Sequence, residues 1–130
     1  MTDTPPRPTD AELAILRVLW RHGAATVREV LRRYNEDNRT ETGYTTILKM
    51  LQIMADKGLV VRDDRQRPQV YSTRLSEGET QRQLVRDLLD RAFGGSTKRL
   101  VLQALSDERV DEKELRRVER LLDGLEEKRR

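Results

Sequence analysis

The chain has 130 residues, of which 35% are hydrophobic and 38% charged, so it fits one or two small units rather than a large enzyme. It contains no cysteine, which excludes disulfide bonds, thiolate metal sites and cysteine nucleophiles. No apolar run approaches the roughly 18 residues that span a bilayer, and no signal-peptide pattern opens the chain. These properties predict a soluble cytoplasmic protein without a membrane segment.

The basic excess is confined to the N-terminal part of the chain. Residues 1–75 hold 13 Lys and Arg against 10 Asp and Glu, whereas residues 76–130 hold 13 of each. The whole net charge of +3 therefore lies in the first part. An uneven distribution of this kind favours a polyanionic partner for residues 1–75.

The first helix is predicted from its capping residues. Residues 1–8 contain three prolines and no periodic pattern, which predicts a disordered lead. Thr9 and Glu12 are spaced as a capping box, in which a hydroxyl and a carboxylate satisfy free amide groups of the first turn. The helix ends at His22-Gly23. His22 is the only histidine, and its place at a helix end indicates a dipole-complementing role rather than a ligand or base.

Two more helices follow. Thr26 and Glu29 form a second capping box, and the apolar residues after Thr26 recur at i, i+3, i+4 and i+7. A polar loop at residues 35–40 leads to a third helix over residues 42–57, which Gly58 ends. Helix, short linker, helix, loop and helix is the layout of a helix-turn-helix unit with its last helix outermost.

The third helix has an apolar and a polar face. At 100° per residue, one stripe collects Ile47, Met50, Leu51 and Met54. The opposite face collects Thr45, Lys49 and Gln52, with Thr46 on its flank. Lysine can donate to guanine, glutamine can pair with adenine, and a threonine methyl can touch thymine. This face suits base recognition in the major groove; the alternative is an ordinary solvated helix face.

A β-hairpin is predicted directly after the third helix. Residues 59–63 and 69–73 are short β-branched runs around a polar turn at residues 64–68. A hairpin in this position is the wing of a winged helix. Arg65 and Arg67 at its tip are placed to reach a phosphate or the minor groove; the alternative is a solubilising turn.

The C-terminal part is predicted to be helical. A third capping motif at residues 76–79 opens a long helix, Gly94-Gly95 breaks it, and further helices follow at residues 97–105 and from residue 111. Three amphipathic helices in 55 residues make a thin core, which a second copy would complete. Packing within one chain is the alternative. The predicted dimerisation residues are Leu88, Leu89, Phe93, Leu102, Leu105, Leu115, Val118, Leu122 and Leu125.

The fold class is therefore mainly α with a small β-hairpin. A winged helix-turn-helix domain over residues 9–75 precedes a three-helix dimerisation element over residues 76–130. The motifs that enzymes use are missing, since there is one histidine, no nucleophile elbow and no His-x-x-x-His helix. No enzymatic activity and no cofactor are expected. A DNA-binding repressor is favoured, and a winged-helix module that binds an acidic protein surface is the alternative.

Five segments carry a family resemblance. They are TDAELAILRVLW (9–20), ATVREVL (25–31), GYTTILKMLQIMADKGLVVRD (43–63), VYS (70–72) and LLDRAFGGSTKRLVLQAL (88–105). In this order they resemble the penicillinase-repressor family of winged-helix transcriptional repressors, which has copper-responsive relatives. The resemblance implies a homodimer that represses by occupying a palindromic operator. With it, the candidate DNA-binding residues are Thr42, Tyr44, Thr45, Thr46, Lys49, Gln52, Arg65 and Arg67.

The chain departs from its relatives at both known control points. Copper-responsive relatives carry a C-terminal cysteine cluster, which this chain lacks. Relatives that respond to β-lactams are cleaved at an Asn-Phe bond, where this chain has Gln103-Ala104. The resemblance therefore leaves the releasing signal open between a sensor protease and a small-molecule inducer.

Overall fold

The computed structural model describes residues 6–106 and 111–128. The chain divides into two compact units, Met1–Gln81 and Arg82–Arg130. This division lies six residues beyond the boundary expected between residues 75 and 76, inside the fourth helix. Of the lead expected to be disordered, residues 1–5 lie outside the described residues, and Pro8 is buried.

The described residues form six helices and one three-stranded antiparallel sheet, which confirms the fold class. The elements are α1 (Asp10–His22), β1 (Ala25–Thr26), α2 (Val27–Asn38), α3 (Tyr44–Lys57), β2 (Val60–Asp63), β3 (Val70–Thr73), α4 (Glu77–Ala92), α5 (Thr97–Leu105) and α6 (Glu112–Lys128). The strand order is β1-β3-β2. The predicted hairpin is β2 and β3, paired from Val60 with Thr73 to Asp63 with Val70.

Two local predictions need correction, and one strand was missed. The loop expected at residues 35–40 is shorter, because α2 continues to Asn38 and ends at Arg39 in the left-handed conformation, with φ of 52°. The third helix begins at Tyr44 with Gly43 as its N-cap, so Thr42 precedes it. Strand β1 was not predicted, because two residues show no periodicity; Ala25 and Thr26 pair with β3.

Capping boxes begin the helices as the sequence predicted. In each one, a hydroxyl accepts a hydrogen bond from a backbone N–H three residues later, and a glutamate accepts one from the capping residue. The pairs are Thr9 with Glu12, Thr26 with Glu29 and Ser76 with Glu79. Local sequence therefore determines where α1, α2 and α4 begin.

The core of the first unit holds α3 by its apolar face. Ile47, Leu51 and Met54 are fully buried, and Met50 is half-buried. They pack in one cluster with residues of α1, β1, α2 and the hairpin: Ile15, Leu16, Leu19, Ala25, Val27, Val30, Leu59, Val60 and Tyr71. Because the buried stripe follows the 3.6-residue period, the opposite face of α3 is left outward.

A buried ion pair joins the ends of α1 and α3. Glu12 is buried, and its Oε2 accepts a hydrogen bond of 2.8 Å from Nζ of Lys57, the last residue of α3. Burial alone would raise the pKa of Glu12, but hydrogen bonds from Lys57 and from the Thr9 N–H outweigh it and lower the pKa below its ordinary 4.5. The pair ties the C-terminal end of α3 to the start of α1.

Replacing Glu12 by alanine should lower the free energy of unfolding by about 2–4 kcal/mol. The change removes part of a helix cap, worth about 1 kcal/mol, and a charged hydrogen bond, worth about 1.5–3 kcal/mol. Glu29→Ala is the matched control, because Glu29 makes the same two capping contacts without the lysine. Urea unfolding at pH 7 should show the larger loss for Glu12→Ala.

The pH dependence of each loss follows from the pKa of the carboxyl that is removed. Since the folded pKa of Glu12 lies below 4.5, its carboxylate stabilises the fold fully above this pH and less as the pH falls through the folded value. The loss for Glu12→Ala should therefore shrink in acid, and so should that for Glu29→Ala, because hydrogen bonds from Thr26 lower the pKa of Glu29 as well. Equal losses at pH 7, or a loss for Glu12→Ala that grows below pH 4.5, would contradict the assignment.

The second unit buries few of its apolar side chains completely. Among its described residues, Leu122 is the only buried hydrophobic side chain, with 8% exposure. Leu121 and Leu125 of α6 are 65% and 58% exposed, and Val85 and Leu88 of α4 are also exposed. The thin core expected from the sequence is therefore present in one protomer.

Candidate nucleic-acid interface

The outward face of α3 is polar and accessible. Thr45, Thr46, Lys49 and Gln52 are all exposed. In the described part of the chain, no hydrogen bond or ion pair engages the side chains of Lys49 and Gln52. Ile53, the residue after Gln52, is also exposed and adds an apolar group. A rigid helix thus presents one cation, one amide and small apolar groups together.

Thr42, a predicted DNA-binding residue, lies in the loop before α3 and helps to hold this loop in place. Thr42 donates its backbone N–H to Oδ1 of Asn35 at 2.9 Å, and Asn35 Nδ2 donates back to the Thr42 carbonyl at 3.0 Å. The Thr40 hydroxyl donates to the same Oδ1 at 2.8 Å. These bonds close the loop between α2 and α3 and fix the direction in which α3 begins.

The N-terminal end of α3 carries a cationic contact that sequence analysis missed. Gly43 offers no side chain to cap the helix, so amide groups of the first turn remain available to an anion. The Arg28 guanidinium lies 5.2 Å from the ring centroid of Tyr44, within cation–π range. Arg28 is exposed in the first turn of α2. In the sequence, only the place of Arg28 directly after a helix cap pointed to this contact, because the contact joins two different helices.

The wing tip and the start of α3 border the same cleft. Its volume is about 270 Å³, and its lining includes Arg28, Tyr44, Leu48, Arg67 and Pro68. The fold therefore brings Arg67 of the wing and Arg28 of α2 to one side of α3. Two guanidinium groups beside a helix N-terminus form a surface suited to phosphate groups.

The other wing arginines are engaged by carboxylates. Arg65 donates from Nε to Oδ1 of Asp63 at 3.0 Å and from Nη2 to Oδ2 at 3.3 Å. These bonds, with one from Gln66, hold the pKa of the Asp63 carboxyl well below its usual range. Arg62 pairs with Asp64 at 2.7 Å. In the described residues, Arg67 has no such partner.

The described residues offer neither a metal-binding cluster nor a membrane-spanning helix. No group of three or more His, Asp or Glu side chains is placed to hold a metal ion there. None of the helices in residues 6–106 and 111–128 combines the length and apolar character that crossing a membrane requires. The exposed face of α3 and the surface around its N-terminus are the best-defined candidate site of the fold.

Three helices followed by a hairpin, with β1 completing the sheet, define a winged helix-turn-helix fold. Residues 8–124 match the family model described as "Penicillinase repressor". The chain is 27% identical over 119 residues to the penicillinase repressor of Bacillus licheniformis, and the alignment covers 91% of each chain. The chain belongs to the penicillinase-repressor family, a family of transcriptional repressors. This confirms the resemblance that its sequence motifs carry.

Proposed function

We propose that this protein is a homodimeric repressor that binds an inverted-repeat operator with α3 in the major groove. The observation that carries the proposal is the exposed face of Lys49 and Gln52, which have no side-chain partner among the described residues, on a helix whose opposite face buries Ile47, Leu51 and Met54. A base-reading side chain must be free to bond and held in register. Burial of Ile47, Leu51 and Met54 supplies the register.

Phosphate contacts are assigned to the surface around α3. Arg28, Arg67 and the open N-terminus of α3 lie on one side of the recognition helix, as the shared cleft indicates. Such contacts set the register of the protein on the duplex without reading sequence. Tyr44 supports Arg28 through its ring. Thr42 contributes by fixing the loop rather than by reading bases.

Dimerisation is assigned to the second unit. Leu121 and Leu125, exposed one turn apart on α6, and Leu88 on α4 are the groups that a second copy would cover. Of the other proposed contacts, Leu122 is buried in the protomer. The rest are half-buried: Leu89, Phe93, Leu102, Leu105, Leu115 and Val118. Because burial of apolar area drives association, the most exposed leucines, Leu121 and Leu125, gain most from a partner.

In this proposal, the repressor is released from its operator either by proteolysis or by a small ligand. The Gln103–Ala104 bond, which replaces the cleaved Asn-Phe of relatives, lies in the last turn of α5. Both side chains are exposed in the protomer. The Ser106 N–H also bonds to the Gln103 carbonyl, at 3.2 Å, so a protease would need this turn to open.

A dimer should protect two half-sites whose centres lie about 10 bp apart, one turn of the duplex. The full-length protein is used to select binding sequences from a random duplex pool, and the winning site is then footprinted. The selected sites should be inverted repeats, bound with an affinity that falls steeply with salt. A footprint over a single asymmetric half-site, with one protomer bound, would contradict the dimer.

The same experiment tests the alternative function. A winged-helix module that binds an acidic protein surface would yield no enriched sequence from the pool. Its binding to random duplex would also be weak at every salt concentration. Enrichment of one inverted repeat therefore separates the two functions, and the exposed Lys49 and Gln52 side chains favour the repressor.

A further inference from the structure

In the wing, a carboxylate binds an arginine that could otherwise contact a DNA phosphate. Residues 62–67 hold three arginines and two aspartates. The Arg65 side chain is 92% exposed, yet both its Nε and Nη2 donate to one carboxylate. A guanidinium bound in this bidentate way offers the same donors that a phosphate would use. An arginine that is open to solvent is thus already bound to an anion.

The Asp63 carboxylate is held in place by the turn itself. It accepts the Arg65 backbone N–H at 3.0 Å and the Gln66 Nε2 at 3.1 Å, besides the two bonds from the Arg65 side chain. Its side chain is only 27% exposed. A carboxylate fixed by two other donors does not need to be ordered when the arginine binds, so the ion pair forms at lower entropic cost than a typical surface pair.

From this geometry we infer that Asp63 restrains Arg65 and thereby limits the affinity of the wing for the DNA backbone. The inference rests on the proposed function, since it concerns the strength of DNA binding. To contact a phosphate, Arg65 must exchange one bidentate anion for another, while the freed Asp63 carboxylate repels the duplex. Arg67, which lacks a carboxylate partner among the described residues, contributes its charge in full.

As a consequence, the repressor binds the DNA backbone more weakly than the number of arginines in its wing would allow. Each phosphate contact contributes about 0.9 to the slope of log K against log salt. A wing that withholds one contact weakens binding to every sequence alike. Stable occupancy of an operator then depends on base contacts from α3 and on both protomers binding together.

Asp63→Asn tests the inference by a gain of affinity, which misfolding does not produce. Asparagine keeps an oxygen to accept the Arg65 N–H but loses the charge. Binding of the full-length protein to a random-sequence duplex and to its selected operator should tighten about tenfold at 0.1 M salt, with a slope steeper by about 0.9. Asp56→Asn is the control for charge alone, because Asp56 is an exposed carboxylate on α3 to which none of the described arginines is bound.

The second arm places both asparagine changes in an Arg65→Ala background. There, Asp63→Asn should gain no more affinity than Asp56→Asn does, because no arginine remains to be freed. A gain in the wild-type background no larger than that of Asp56→Asn, or one that persists undiminished with Arg65→Ala, overturns the inference. Wild-type protein that binds no duplex at all defeats the proposed function instead, so the two failures are distinguishable.

Discussion

Leu125→Asp is expected to convert the dimer into a monomer and to lower operator affinity by about 10²–10⁴-fold. Leu125 is 58% exposed in the protomer, so a carboxylate there leaves the packing of the single chain intact. In the dimer the same carboxylate would lie in an apolar interface, where an unpaired charge is costly. A monomer also loses the high effective concentration at which the second protomer of a dimer meets its half-site once the first protomer is bound. Analytical ultracentrifugation and titration of the selected operator measure the two effects.

The neighbouring residue provides a matched control. Gly124→Asp adds the same charge one position away, and a Cβ at Gly124 meets no heavy atom within 4 Å. This variant should remain dimeric and bind the operator. Leu122→Asp is the less informative change, because Leu122 is buried within the protomer and its loss disturbs the fold as well as the interface. A monomeric Leu125→Asp that holds the operator at wild-type affinity would refute the coupling of dimerisation to binding.

Lys49→Ala and Gln52→Ala should each weaken operator binding by about 1–3 kcal/mol, the range for loss of a base contact. Binding to random duplex should change little for Gln52→Ala, so the ratio of operator to random affinity should fall. Both side chains are exposed and lack protein partners among the described residues, and truncating them should leave the melting temperature unchanged. Fluorescence anisotropy with operator and random duplexes gives both affinities.

The wing provides the comparison for these variants. Arg67→Ala should weaken operator and random duplex by the same factor, because a phosphate contact carries no sequence information. Its salt slope should become shallower by about one unit. If the two α3 variants keep the wild-type ratio of operator to random affinity, their side chains do not contact bases.

The local sequence determined where the helices begin and which face of α3 is buried. Thr9 with Glu12 and Thr26 with Glu29 begin α1 and α2, because a capping box acts across only three residues. The spacing of Ile47, Leu51 and Met54 assigned the inner face of α3, because helical periodicity is a property of one segment. The outward positions of Lys49 and Gln52 follow from the same period.

Contacts between distant residues were decided only by the tertiary structure. Glu12 and Lys57 are 45 residues apart, and Arg28 lies over Tyr44 of another helix; neither pairing has a local pattern. Strand β1 exists because β3 offers it a partner, since two residues cannot form a strand alone. In α6, Leu122 and Leu125 are three residues apart, yet Leu122 is buried and Leu125 is exposed. Periodicity fixes the direction of a side chain, whereas burial depends on what packs against it.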